Sequence, residues 1–230
     1  MTTFVLIHGG WRGGWIYQRL ARILRNSGHE VYAPSLPGSA EHVHQLTGDI
    51  SLSTHIADVV NLFRWEDLRD VTLVGHSYGG MVITGVADQL PDRITDLVYL
   101  DAAVPGDGQS FLDIAPASAP MFIDSAGQSR GLFVAPVPAV YFSVNEADAP
   151  MVDELSTPFP FATCVEKLAL TGGDTSHIRR TYILAEGWEN PYVDTRDRVA
   201  KEPDWDMFSV ACGHDAMLDD PDGLAKILLR

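Results

Sequence analysis

The chain has 230 residues, of which 46% are hydrophobic and 20% charged, and this composition suits one globular α/β domain. A formal net charge of −15 with only 16 scattered Lys and Arg residues argues against nucleic-acid binding. No apolar run approaches the roughly 20 residues of a membrane-spanning helix, and no basic leader precedes the first apolar segment. We therefore expect a single cytoplasmic domain over residues 1–230 that binds neither nucleic acid nor membranes.

Short apolar strands and amphipathic helices alternate through the first hundred residues. Apolar side chains recur at helical spacing between the strands, with Gly28 as a helix stop and Ser53 or Thr54 as an N-cap. We predict strands at 3–7, 30–33, 71–74 and 94–100, and helices at 15–28, 54–64 and 78–89. The nearly continuous apolar strands indicate a mostly parallel sheet with helices on both faces.

This alternation stops after Asp101. Residues 102–165 are rich in Pro, Ala, Ser and Phe, and we interpret them as a small cap inserted into the domain. Its Phe and Met side chains either form an apolar underside above a pocket or attach the cap to the sheet. Strands predicted at 181–185 and 207–211 resume the pattern, and a final helix begins at Pro221.

The segment "TLVGHSYGGMV" (72–82) places Ser77 between a predicted strand and a predicted helix. Its core, Gly-x-Ser-x-Gly, is the nucleophile-elbow pattern, in which glycines two positions before and after the serine leave room for a tight, strained turn. Ser77 is therefore the candidate nucleophile.

A serine hydroxyl becomes reactive when a neighbouring imidazole takes its proton. Of the eight histidines, His214 follows the last predicted strand, after the serine in chain order, and it is the candidate base. We place His29, His55 and His177 on or beside surface segments. The pair His42-x-His44 has no further ligands nearby, so no metal site is expected.

The candidate base needs a carboxylate to hold its tautomer, and the sequence leaves this choice open. The loop after the penultimate strand offers Glu186, Glu189 and Asp194, but no Asp stands at the expected turn. Asp101 directly follows the strand next to that of the serine, and we favour it.

Acyl transfer also requires backbone N–H groups that face the developing oxyanion. The first is expected from Tyr78, directly after the nucleophile. The second is expected from the glycine-rich segment "HGGWRGGW" (8–15), with Gly10 as the choice and Gly9 or Trp11 as alternatives.

Four motifs, HGGWRGGW, GHSYGGMV, LVYLDAAVP and GHDAM, together resemble the α/β-hydrolase superfamily across nearly the whole chain. More narrowly, they resemble the branch of bacterial carboxylesterases, plant methylesterases and plant hydroxynitrile lyases. The resemblance implies a Ser–His–acid site under a small cap, no cofactor and small ester substrates. The lyases of this branch carry a threonine and a lysine where this chain has Gly9 and Asp215, which favours hydrolysis.

We therefore expect a serine hydrolase that cleaves small carboxylic esters through an acyl-enzyme intermediate. A hydroxynitrile lyase and a non-catalytic ligand-binding module on the same fold are the alternatives. The sequence does not select among ester, lactone, carbamate and amide substrates. It also leaves the oligomeric state open, a homodimer included, and its two cysteines, Cys164 and Cys212, suit reduced thiols in a core.

Overall fold

The computed structural model describes residues 1–230. Its strands are β1 (Thr3–Ile7), β2 (Glu30–Tyr32), β3 (Val71–His76), β4 (Ile94–Leu100), β5 (Phe133–Val134), β6 (Phe159–Pro160), β7 (Arg179–Ala185) and β8 (Trp205–Val210). Its α-helices are α1 (Gln18–Asn26), α2 (Leu52–Trp65), α3 (Gly79–Gln89), α4 (Phe111–Ile114), α5 (Ala119–Gln128), α6 (Ala149–Leu155), α7 (Ala162–Val165), α8 (Val193–Val199), α9 (Ala216–Asp219) and α10 (Pro221–Leu228). Short 3₁₀ turns lie at Gly14–Tyr17, Ala40–Gln45, Pro91–Arg93, Pro116–Ser118 and Ala139–Phe142.

Six strands form one parallel sheet in the order β2-β1-β3-β4-β7-β8. Helices α2 and α3 pack together on one face, and α1 and α10 pack together on the other. Each face has its own apolar cluster, and alternate residues of β1 point into different clusters: Val5 into one and Leu6 into the other. The predicted fold class, a mostly parallel sheet between two helical layers, is confirmed.

The predicted elements differ from the observed ones mainly at their ends. Helix α2 begins at Leu52, and its N-cap is Ser51, which forms a capping box with Thr54. Strand β3 continues to His76, so it reaches the nucleophile turn directly. Helix α8, in the segment after β7, was not predicted.

The predicted cap, residues 102–165, contains helices α4 to α7 and the short antiparallel pair β5 and β6. Three of its phenylalanines, Phe111, Phe122 and Phe159, are buried in the same apolar cluster as Val5 of the sheet. Met121 is exposed instead. No helix of the structure is both long and apolar enough to cross a membrane.

Candidate active site

Ser77 lies in a sharp turn between β3 and α3. Its φ of 56° is in the left-handed region, which a side-chain-bearing residue rarely adopts without support from its surroundings. The support is visible, since the Ser77 amide donates to Leu100 O at 3.2 Å and its carbonyl accepts from Ala103 N at 3.1 Å. The turn therefore holds the serine side chain at the carboxyl end of the sheet.

The glycines around Ser77 are required by close backbone contacts. A Cβ at Gly75 would lie 2.6 Å from Gly79 O, and one at Gly79 would lie 2.7 Å from Ile7 O. Gly9, from the neighbouring strand end, approaches the serine itself, because a Cβ there would lie 2.6 Å from Ser77 Cβ. The spacing of the motif is thus explained by close packing of three backbone segments.

His214 and Asp101 are in direct contact. His214 Nδ1 donates to Asp101 Oδ2 at 2.6 Å, and both residues are buried. Asp101 directly follows β4 and has a left-handed φ of 47°, while His214 follows β8. Three other donors also reach the Asp101 carboxylate: Ala185 N (3.1 Å), Trp188 Nε1 (2.8 Å) and Asn190 Nδ2 (2.5 Å).

The alternative carboxylates lie elsewhere. Glu186, Glu189 and Asp194 are all exposed, and none of their carboxylates contacts His214. The structure therefore brings Ser77, His214 and Asp101 to one end of the sheet and leaves the other candidate acids in solvent.

The expectation that His55 lies at the surface is wrong. His55 is fully buried on α2, where its Nε2 donates to Pro37 O and its Nδ1 accepts from the Tyr78 hydroxyl, both at 3.0 Å. His8 is equally buried, donates from Nδ1 to Gly9 O and accepts from Leu36 N. Burial lowers the pKa of each histidine to about 4, so both are neutral near pH 7.

The amides predicted to face an oxyanion are unpaired. The N–H groups of Gly10 and Tyr78 donate no hydrogen bond within the protein, and the same holds for Gly9 and Trp11. Gly10 and Trp11 line the cavity at Ser77, whereas Gly9 packs against the serine Cβ.

Ser77 Oγ has one hydrogen-bond partner in the structure, the hydroxyl of Tyr192 at 3.3 Å. No hydrogen bond joins Ser77 to His214, although both side chains line the same cavity of about 10 Å³. A space of that size holds about one water molecule. A larger cleft, of about 350 Å³, lies at the opposite end of the sheet around Asp70, Asp96 and Arg179, away from these groups.

A buried ion pair borders the same cavity. Arg12 donates to Asp215 Oδ2 from Nε at 3.1 Å and from Nη2 at 2.9 Å, and only 2% of the Arg12 surface is exposed. Burial raises the pKa of Asp215, but attraction by Arg12, His76 and His214 outweighs that effect and holds the pKa below its usual value. Asp215 Oδ1 accepts no hydrogen bond and lies 3.9 Å from His76 Nε2.

Tyr192, Asn190 and Arg12 were not predicted to be functional residues. Arg12 lies within the predicted glycine-rich segment, and its charge in an otherwise apolar and glycine-rich run was a usable signal. Tyr192 and Asn190 lie in the loop after β7, from which only a carboxylate was expected to contribute to the site.

This fold and this arrangement of a serine turn, a histidine and an aspartate define an α/β hydrolase. The sequence matches the alpha/beta hydrolase family over residues 4–227, and the chain belongs to that family. The predicted superfamily is thus confirmed.

Among its relatives is a carbendazim hydrolyzing esterase from Nocardioides sp. (strain SG-4G), which is 40% identical over 99% of this chain and 98% of that protein. Another is the putative methylesterase 11, chloroplastic, of Arabidopsis thaliana, 27% identical over 99% of this chain and 63% of that protein. A solved structure, an extracellular α/β-hydrolase from a Paenibacillus species, superimposes with a TM-score of 0.88 at 27% identity and covers 100% of this chain and 98% of its own. The predicted class, an ester-cleaving α/β hydrolase, is supported by these relatives.

Proposed function

We propose that this protein is a serine hydrolase that cleaves small carboxylic esters through an acyl-enzyme intermediate, with Ser77 as nucleophile, His214 as general base and Asp101 as the residue that orients His214. The observation that carries the proposal is the 2.6 Å bond from His214 Nδ1 to Asp101 beside the strained Ser77 turn. That bond requires a proton on Nδ1, so Nε2 is free to accept the serine proton.

In the proposed reaction, Ser77 Oγ attacks the ester carbonyl carbon while His214 takes the serine proton and then delivers it to the departing alcohol. Water repeats the sequence on the acyl-enzyme and releases the acid. The unpaired amides of Gly10 and Tyr78 donate to the oxyanion. The bond between Ser77 and His214 is expected to form in the substrate complex, since catalytic hydrogen bonds often tighten only there.

Two features of this chain speak against the lyase alternative. The threonine that the lyases carry at the position of Gly9 has no room here, because a Cβ at Gly9 would collide with Ser77 Cβ. Asp215, at the position of the lyase lysine, is negatively charged and paired with Arg12. The cavity therefore lacks the cation at that position.

The test is hydrolysis of short-chain p-nitrophenyl esters together with labelling by a fluorophosphonate probe. We expect the wild-type protein to hydrolyse the ester and to be labelled at Ser77, and Ser77→Ala to lose at least about a thousandfold in kcat and all labelling. Ser39→Ala is the matched control, because Ser39 is also buried but lies outside this cavity and its hydroxyl has no partner.

Wild-type turnover in Ser77→Ala would exclude Ser77 as nucleophile. A wild-type protein that is neither active nor labelled would favour the ligand-binding alternative. Because one relative bears the name of a carbendazim hydrolyzing esterase, a substrate panel of carboxylic esters, lactones and amides should also contain carbendazim.

A further inference from the structure

The side chain that is hydrogen-bonded to the candidate nucleophile is that of Tyr192. Its hydroxyl lies 3.3 Å from Ser77 Oγ, within hydrogen-bonding distance of the atom that would react. Only 2% of the Tyr192 surface is exposed, so water does not compete freely for this bond. Tyr192 is thus placed to act on Oγ itself.

Tyr192 is held there by the same carboxylate that contacts His214. The Tyr192 amide donates to Asn190 Oδ1 at 2.7 Å, and Asn190 Nδ2 donates to Asp101 Oδ1 at 2.5 Å and to Ala185 O at 2.9 Å. The Tyr192 ring also stacks on His214, with an interplanar angle of 25° and ring centroids 6.1 Å apart. One hydrogen-bonded network therefore sets the positions of both side chains relative to Ser77.

The direction of the hydrogen bond follows from the protons available. Burial raises the pKa of Tyr192 above its usual value, so the phenol keeps its proton at neutral pH. The serine hydroxyl has a single proton, which the proposed reaction sends to His214. The phenol is then the donor and Ser77 Oγ the acceptor.

We propose that Tyr192 is a further catalytic residue, whose phenol donates a hydrogen bond to Ser77 Oγ and speeds the release of the acyl group from the enzyme. This inference rests on the proposed function. In deacylation, a water molecule gives one proton to His214, and its oxygen bonds to the acyl carbon. The bond between that carbon and Oγ then breaks, its electron pair stays on Oγ, and the imidazolium of His214 returns the proton to Oγ.

The hydrogen bond accelerates deacylation more than acylation, because Oγ has a different chemical state at the start of each step. In acylation Oγ starts as a hydroxyl oxygen, which already accepts well from the phenol, so little is gained on reaching the transition state. In deacylation Oγ starts as an ester oxygen, a poorer acceptor, and gains negative charge as the bond breaks. Only interactions that strengthen between ground state and transition state accelerate a step.

The experiment compares the steady-state and burst kinetics of Tyr192→Phe and wild-type protein on p-nitrophenyl butyrate. We expect kcat, which reports deacylation for such an activated ester, to fall by about 10- to 100-fold, the effect of one charge-assisted hydrogen bond. KM should fall with it, so that kcat/KM, which reports acylation, changes by less than about threefold. A burst of p-nitrophenol equal to the enzyme concentration and an acyl adduct on Ser77 by mass spectrometry should accompany this change.

The matched control is Tyr99→Phe. Tyr99 is also a buried tyrosine whose hydroxyl bonds to another hydroxyl, but the partner is Thr84 Oγ1 of α3, at 2.9 Å, and not Ser77. We expect its kcat, KM and burst to equal those of the wild-type protein. Should Tyr192→Phe fail to fold, 3-fluorotyrosine at position 192 keeps the phenol and strengthens the donor, and it should raise kcat without changing kcat/KM.

Unchanged kinetics in Tyr192→Phe, an equal fall of kcat and kcat/KM without an acyl adduct, or an unchanged kcat with 3-fluorotyrosine would overturn the role of Tyr192 alone. Wild-type turnover in Ser77→Ala would overturn the proposed function and this inference together. The two failures are therefore distinguishable.

Discussion

Asp101 receives more hydrogen bonds than a simple triad acid needs. Besides His214, the backbone of Ala185 and the side chains of Trp188 and Asn190 donate to its two oxygens. Since every partner is a donor, the position demands an acceptor at both oxygens. An ionised carboxylate meets that demand and an amide does not.

We therefore predict that Asp101→Asn loses about 10⁴-fold in kcat, because the amide cannot accept at both oxygens and disturbs the tautomer of His214. Ester hydrolysis by the purified variant is the measurement, with circular dichroism to check folding. Glu186→Gln and Asp194→Asn are the controls and should retain wild-type kcat, since both side chains are exposed. Loss of activity in one of these controls, with Asp101→Asn still active, would show that the carboxylate replaced in that control, and not Asp101, orients His214.

The individual residues of this site were unequally predictable from the sequence. Ser77 follows from a local rule, since the two glycines two residues away are required by the turn. Asp101 was one choice among several, because neighbouring strands of a parallel sheet are distant in sequence and only the sheet order shows which strand ends meet. His55 was misplaced, although its spacing of four from Val59 on α2 put it on the buried helical face.

At the scale of elements, the segment 8–15 joins the sheet, the cap and the loop of His214. Trp11 Nε1 donates to Val134 O in the cap, and the amide of Thr157 donates to Trp11 O. Arg12 donates both to Ser156 Oγ in the cap and to Asp215, directly after His214. The two residues that follow Gly10, Trp11 and Arg12, are therefore hydrogen-bonded to the cap, and Arg12 also to Asp215. These bonds hold the amide of Gly10 in place.

Removing one charge of the buried Arg12–Asp215 ion pair should destabilise the folded protein. We predict that Arg12→Met lowers the free energy of unfolding by about 3–5 kcal/mol, because the Asp215 carboxylate stays buried without a partner. The double variant Arg12→Met/Asp215→Asn should recover much of that loss, since no uncompensated charge remains. Urea unfolding at pH 7 measures both.

Arg69→Met is the control for losing an arginine side chain as such. Arg69 and Asp67 form an ion pair in which both side chains are more than half exposed, so its loss should cost at most about 1 kcal/mol. The prediction is wrong if Arg12→Met lowers the free energy of unfolding no more than Arg69→Met does, or if the double variant is no more stable than Arg12→Met.

The cap shows why some elements were not predictable. Helices α4 and α7 have four residues each, and β5 and β6 have two, so none is long enough to show a period of 3.6 or 2. Such elements are stabilised by tertiary packing of residues such as Phe111 and Phe159 rather than by local propensity. Strands such as β1, β3 and β4 were predicted because each has five to seven residues that form a nearly continuous apolar run.

For the whole molecule, acidification has two opposing effects on stability. The net charge of −15 shrinks as the pH approaches the pI of about 4.7, which reduces repulsion within the folded state. Against this, His8 and His55 are buried as neutral groups, and each uses an unprotonated ring nitrogen as an acceptor, from Leu36 N and from the Tyr78 hydroxyl. Protonation would leave the His8 ring nitrogen as a donor facing the Leu36 N–H, and it would force the Tyr78 hydroxyl to turn and accept from His55.

We predict that the second effect dominates at 0.15 M salt, where repulsion between distant surface charges is screened within about 8 Å. The pKa of both histidines is about 4 in the folded protein and about 6.5 when unfolded, so between these values the unfolded chain binds protons that the folded chain does not. The resulting stability is complete above pH 6.5 and is lost as the pH falls towards 4. Relative to its value above pH 6.5, the free energy of unfolding should fall by about 2 kcal/mol per histidine at pH 5 and by about 3 kcal/mol per histidine at pH 4.

The measurement is the free energy of urea unfolding at pH 7, 6, 5 and 4.5 for the wild-type protein, His55→Gln and His44→Gln. Glutamine at position 55 can donate to Pro37 O and accept from Tyr78 without titrating, so the loss between pH 7 and 5 should shrink by about 2 kcal/mol. His44 is exposed, and its replacement should leave the pH dependence unchanged. A wild-type stability that is flat or rises between pH 7 and 5 would mean that relief of the acidic repulsion outweighs the buried histidines.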